Sequence, residues 1–325
     1  MVIACVLKGG ETLKVKKLYT LLVALMFILT SCSKPKIEIQ PLKPDINTEN
    51  EKQLSLNIIA TNKMLYNMVE AIVQDKHSVS YMFASKEKIW DFSFTEDSVN
   101  NISKKDLYFY WGSALEPWNQ TFVDKLSKSK VGPIDVSRGV KIISYDREVK
   151  YKNIVFKDNP YYWMNVDYYK IAMLNIKNAI EDKDTKNRQF YEDNFSKNIK
   201  DTEAAQKKLK DTLDKLKDYT FLVEGDSLDY FLKYYGFKVI KVYNSAENKA
   251  INIADENKKN EDKISQAKNV IFLYDDENEI KSEEQLINKF NLNKVNIISY
   301  KDDISYIDLL NSNINNLQQV SPIAK

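Results

Sequence analysis

Apolar positions in this chain follow two rhythms that alternate from residue 54 onward: short unbroken runs of strand length, and stripes at helical spacing. Leu54 to Thr61 reads as a buried strand. Met64, Leu65, Met68, Val69, Ile72 and Val73 then share one face of a helix. Val79 to Phe83 is a second strand, Ser98 to Ile102 a short helix, and Leu107 to Trp111 an aromatic-rich third strand. A helix over Leu115 to Leu126, short strands at Ile134 to Val136 and Ile142 to Ser144, and a helix from Asn165 to Ile180 complete the first set.

Gln189 to Lys217 breaks this alternation. It contains no Gly or Pro and carries Ala205, Leu209, Leu213 and Leu216 on one stripe among lysines and acids, which predicts a long connecting helix. Too few heptads are present for a coiled coil. Beyond it, strands at Thr220 to Val223, Lys238 to Tyr243, Asn269 to Tyr274 and Val295 to Ser299 alternate with helices at Ser227 to Tyr235, Asn257 to Ala267, Ser282 to Phe290 and Ile304 to Gln318. The expected fold is α/β. Two lobes, 53–184 and 218–325, are each a mainly parallel sheet flanked by helices, and the connecting helix spans 185–217. A ligand of such a fold lies at the carboxyl ends of the strands, between the lobes.

The N-terminal 52 residues follow neither rhythm. Lys14, Lys16 and Lys17 precede an uncharged run, Leu18 to Leu29, that is short for a membrane span, and Leu29-Thr30-Ser31-Cys32 resembles a lipoprotein cleavage site. Residues 1–31 are expected to be a signal peptide, Cys32 the lipidated residue, and the polar 32–52 stretch a tether. Such a chain is extracytoplasmic and reaches the membrane through its lipid. Cys5 and Cys32 are the only cysteines, so the body expects no disulfide. With 48 basic against 46 acidic side chains, no bulk charge favours nucleic acid as a partner. A Ser-His-Asp or Cys-His set cannot be drawn from one histidine, and no phosphate-cradling glycine motif occurs among seven glycines. An enzyme is not expected.

The block Asp106-Leu107-Tyr108-Phe109-Tyr110-Trp111-Gly112-Ser113-Ala114-Leu115-Glu116-Pro117-Trp118, with its "LEPW" helix start, is similar to a block in the TroA-like solute-binding proteins. These are the metal receptors of zinc and manganese ABC importers. Val136-Ser137-Arg138-Gly139-Val140, Asn159 to Asn165, the Tyr191 and Asn194 pair, and Asp226 to Phe237 with its Tyr-Gly turn follow in the family's order. The resemblance implies a solute-binding lipoprotein that works with an ABC permease and ATPase, with zinc or manganese as cargo. It also implies three histidines and a carboxylate as ligands. Those positions fall here on Trp90, Tyr161, Glu224 or Gly225, and Tyr300 or Lys301, so every expected imidazole is missing.

Indole and neutral phenol do not replace such donors. The candidate cleft is therefore Trp90, Asp91, Tyr161, Trp163, Glu224, Asp226 and Tyr300, an aromatic-rich set with carboxylates and no metal ligands of the family kind. Two readings stay open from these residues: a pocket for an apolar or cationic organic solute, or a cleft filled by its own aromatics. An oxygen-only site for Ca²⁺ or Mn²⁺ built from Asp91, Glu224 and Asp226 is the lesser alternative. A surface interaction or adhesion protein that keeps the receptor scaffold is the alternative function. His77 is expected to be a solvated loop residue, and Asp275-Asp276-Glu277 an exposed turn.

Overall fold

Strands that are buried on both faces must read as continuous apolar runs, and the central strands of this protein do so because helices cover them on either side. In the computed structural model, the described residues are 54–112, 115–243, 253–301 and 303–320, with backbone only at 146 and 253–257. The expected leader, Cys32 and the expected tether lie outside them.

The first sheet joins β1 (Asn57–Asn62), β2 (Ser78–Phe83), β3 (Leu107–Tyr110) and β4 (Gly132–Asp135) in the order β2-β1-β3-β4. All pairs are parallel; Ile58, for example, faces Val79 on one side and Leu107 on the other. The second sheet joins β7 (Thr220–Glu224), β8 (Lys238–Val242), β9 (Val270–Tyr274) and β10 (Asn293–Asn296) in the order β10-β9-β7-β8, again parallel throughout. Read from its other edge it has the topology of the first sheet. Each lobe therefore changes winding direction beside its first strand, and a crevice opens there at the carboxyl ends.

Helix α1 (Lys63–Val73) starts at Asn62, whose side chain accepts from the Leu65 amide, and buries the six predicted apolar residues. α2 (Lys86–Trp90) and α3 (Glu96–Ser103) follow β2, the latter held by a Thr95–Ser98 capping box. α4 spans Asn119–Leu126, shorter than the run from Leu115 suggests, because Pro117 lies in a turn ahead of it. α5 (Val166–Lys183) leads to α6 (Arg188–Asp214), a 27-residue helix between the two sheets in sequence. α7 (Asp229–Tyr235), α8 (Ile253–Gln266), α9 (Glu277–Ser282), α10 (Glu284–Phe290) and α11 (Tyr306–Gln318) complete the second lobe. The helix expected at Ser282 to Phe290 is α10, and α9 is an additional short helix ahead of it.

The lobes share one hydrophobic core that runs from Ile58 and Phe109 through Trp163 and Leu209 to Phe221 and Leu273. Tyr169 of α5 stacks on Tyr306 of α11, rings 3.6 Å apart and 8° from parallel. The Tyr306 hydroxyl donates to the Trp163 carbonyl at 2.6 Å, and the Trp163 indole donates to the Ser299 carbonyl at 2.7 Å. The large polar aromatics at this junction thereby satisfy their donors while burying their rings.

Two expectations fail here for physical reasons. The short strand at Ile142 to Ser144 is instead the entry to an antiparallel hairpin, β5 (Ser144–Tyr151) and β6 (Ile154–Asp158), whose polar, charged pattern hides it. His77 is not solvated: it is 7% exposed and accepts from the Leu56 amide through Nδ1. Its Nε2 lies 2.7 Å from the Tyr191 hydroxyl, which donates to Asp184. Burial holds the imidazole pKa below its ordinary value, which fits a neutral link between the first lobe and α6.

Candidate functional site

The cleft is built from the first lobe upward by α2. Ile89 is fully buried and its carbonyl accepts from the Trp118 indole at 2.8 Å, which turns the neighbouring Trp90 ring toward the hairpin. Trp90 packs against Tyr151 and Phe156 at 5.0 and 5.3 Å between ring centroids. Lys152, in the hairpin turn, binds Asp91 at 2.6 Å, so the hairpin is tied to α2 at one end. At the other end Arg147 pairs with Asp226 in the loop after β7, and its guanidinium lies 4.4 Å from the Tyr243 ring centre. The hairpin therefore straps the two walls of the cleft.

The "LEPW" block supports this wall from beneath. Gly112 has φ +66°, and a Cβ there would sit 2.4 Å from the Asp135 carboxylate, so the turn out of β3 admits only glycine. Glu116 is buried and accepts from the Thr61 hydroxyl at 2.6 Å and the Trp111 amide at 3.0 Å. Burial raises its pKa to about 8. It serves the fold, not the cleft.

The second lobe supplies acids. β7 ends at Glu224, and Gly225 turns the chain with φ +67°. Asp226 faces Lys241 at 3.0 Å as well as Arg147, so its charge is compensated. Asp275 follows β9 and accepts from both the amide and the hydroxyl of Ser299. Burial nonetheless raises its pKa. Glu279 accepts from the Asp275 amide at 3.0 Å; burial, reinforced by Asp275 and Glu224, lifts its pKa to about 8. Burial and Glu224 lift Glu283 to about 7. This wall gathers more carboxyl groups than its own cations pair, and at neutral pH part of that excess is held as protonated acid.

Between the walls lies a cavity of about 400 Å³. Four of the seven candidate residues line it: Trp90, Tyr161, Glu224 and Asp226. Three do not. Asp91 is turned outward onto Lys152 and Tyr151; Trp163 is fully buried in the shared core; Tyr300 lines a neighbouring cavity of about 280 Å³ with Lys86, Asp275 and Asp276. Asp276 and Glu277 are exposed as expected, but Asp275 is half-buried and part of both cavities, which corrects the reading of that run as an exposed turn. Among the described residues no group of three or more His, Cys, Asp or Glu side chains is placed to hold a metal ion.

A sequence-family profile described as the zinc-uptake complex component A, periplasmic, matches residues 58–320. The chain belongs to that family. It is 28% identical over 219 residues to the iron ABC transporter substrate-binding lipoprotein MtsA of Streptococcus pyogenes, a match covering 65% of this chain and 66% of MtsA, just under two thirds of that relative. It is 26% identical over 230 residues to the metal ABC transporter substrate-binding lipoprotein FimA of Streptococcus parasanguinis, covering 69% of each. In structure it resembles the metal-dependent lipoprotein YcdH of Bacillus subtilis, with TM-score 0.67 at 18% identity, over 82% of this chain and 99% of that one. The Zn(II)-bound ZnuA-like domain of AdcA from Streptococcus pneumoniae gives 0.66 at 15%, again over 82% and 99%. These neighbours share the fold: parallel sheets flanked by helices, with the long helix between them.

Among the residues of the cavity wall, sequence reasoning missed Lys86, Tyr145, Arg147, Tyr151, Phe156, Asp275 and Glu279. Asp275 and Lys86 were within reach of a simple rule, since each follows the carboxyl end of a strand. Tyr145 and Arg147 required the hairpin.

Proposed function

We propose that the protein is the solute-binding component of an ABC importer, tethered outside the membrane through Cys32 and serving a permease and ATPase, and that its cleft takes a small organic cation in place of a bare transition-metal ion. The observation that carries this reading is the cavity itself. Aromatic side chains (Trp90, Tyr145, Tyr151, Phe156, Tyr161) line it together with five carboxyl groups, against three cationic side chains. Ring faces attract ammonium-type cations, and the surplus carboxylates neutralise them, whereas a Zn²⁺ or Mn²⁺ site needs converging nitrogen, sulfur or oxygen donors. Its volume suits an organic molecule and exceeds what a single ion requires. The relatives are named for iron, manganese and zinc, so the proposal separates the inherited scaffold from the inherited cargo.

Calorimetric titration of the purified protein with Zn²⁺ and with Mn²⁺ tests it. No binding tighter than micromolar is expected for either ion. Submicromolar, stoichiometric binding of one of them would return the protein to the cargo class of its relatives.

A further inference from the structure

Among the described residues, Lys86 is the one cationic side chain that reaches the aromatic corner of the cleft from the first lobe. Its ammonium lies 5.7 Å from the ring centre of Tyr161 and 6.0 Å from that of Trp90. Those two rings stand at positions where the resemblance places metal ligands, and Asp275 reaches the same corner from the second lobe. The other two cations of the cavity are engaged elsewhere: Arg147 with Asp226, and Lys150 with Glu148 at 2.5 Å. Interaction with the Tyr161 phenol, assisted by Asp275, holds the Lys86 pKa above its ordinary value, so the side chain is a permanent cation at any physiological pH.

We infer that Lys86 is a built-in substitute for the metal: its ammonium fills the cation position bounded by Trp90, Tyr161 and Asp275 and excludes a free dication from that corner. Charge and geometry both require this. A dication entering the corner would meet a tethered like charge at close range, two rings that offer no imidazole-type donor, and carboxyl groups, Asp275 and Glu87, that already act on that ammonium. An ammonium there gains attraction from the two rings and, at longer range than an ion pair, from Asp275, without needing a coordination shell. An external solute is thereby confined to the rest of the cavity, beside Glu224 and Glu279. The position is correspondingly a binding site for primary alkylammonium ions once the lysine is shortened.

The inference rests on the cavity being the solute site, and the two readings fail separately: an organic solute found in the cleft together with no rescue below would overturn the role of Lys86 alone. The test is chemical rescue. Lys86→Ala leaves room for n-propylammonium, the piece of side chain removed, whereas Lys86→Met fills the same volume without charge. Calorimetry at matched ionic strength should show n-propylammonium binding to Lys86→Ala at least tenfold more tightly than to the wild type or to Lys86→Met. Equal affinity in all three would overturn the inference. A second measurement needs no variant: brief acetylation of the wild-type protein with an N-hydroxysuccinimide ester, followed by peptide mass spectrometry, should modify Lys86 at least tenfold more slowly than the exposed Lys88 two residues away. Equal rates would contradict a held ammonium.

Discussion

The two lobes repeat one strand order and yet present opposite chemistry to the cleft between them. In the first, the segments after the strands deliver Trp90, Tyr161 and Lys86; in the second, the corresponding ends of β7 and β9 deliver Glu224, Asp226 and Asp275. The difference shows what the scaffold constrains. Strand order and the shared core determine where a loop ends, while the side chains placed there vary with little cost to the fold. The structure separates the two kinds of residue clearly: Trp163, two positions from a ring that lines the cavity, is sealed in the core, and Tyr161 looks into the cavity.

That separation can be broken from its interior side first. Trp163→Ala removes a fully buried ring and its hydrogen bond to Ser299, and is expected to cost about 3–5 kcal/mol of folding stability by denaturant titration. Trp90→Ala, at a half-buried cleft position, should cost less than half of that. Equal costs would mean that the cleft wall is as structural as the core.

A smaller effect distinguishes the buried acids of the two lobes. Glu116 has a folded pKa of about 8 against an ordinary carboxylate value near 4.5, so the fold favours its protonated form. Its contribution is fully present below about pH 4.5, is lost as pH rises toward 8, and is constant above that. Glu116→Gln, which keeps an acceptor for the Thr61 hydroxyl, should therefore flatten the stability profile across that window, with a gain of a few kcal/mol at pH 8. Glu279 in the second lobe titrates in the same window with the same sign. It is half-buried and partly screened, so Glu279→Gln should gain only about 1 kcal/mol at pH 8 and nothing at pH 4.5. Thermal melts of both variants at the two pH values give the comparison directly. A larger gain from Glu279 would place the greater electrostatic strain in the cleft.

Much of the scaffold was legible because its signals are local. Continuous runs such as Phe221-Leu222-Val223 and the spaced leucines of α6 follow from burial geometry that each residue experiences wherever it lies in the chain. The site was less legible because its signals are not local. His77 sits in a polar tetrapeptide, and partners distant in the chain, the Leu56 amide and Tyr191, 114 residues away, make it a core residue. Three consecutive acids begin at Asp275, and nothing in their order tells which one turns inward onto Ser299. In the β5–β6 hairpin β5 alternates charged residues and β6 offers only the three apolar residues Ile154 to Phe156, too short a run to announce a strand pair. Trp163 and Tyr161 are both aromatic, and the choice of which faces the core depends on a single turn of 3₁₀ helix.

The claim that this scaffold has exchanged a metal for an organic cation is tested most directly by native mass spectrometry of the protein as purified from its own cells, combined with elemental analysis of the same sample. The account predicts an adduct whose mass matches a small nitrogenous molecule, released by unfolding, with zinc, manganese and iron well below one equivalent. One equivalent of any of those metals, retained through buffer exchange and released only on unfolding, would contradict it.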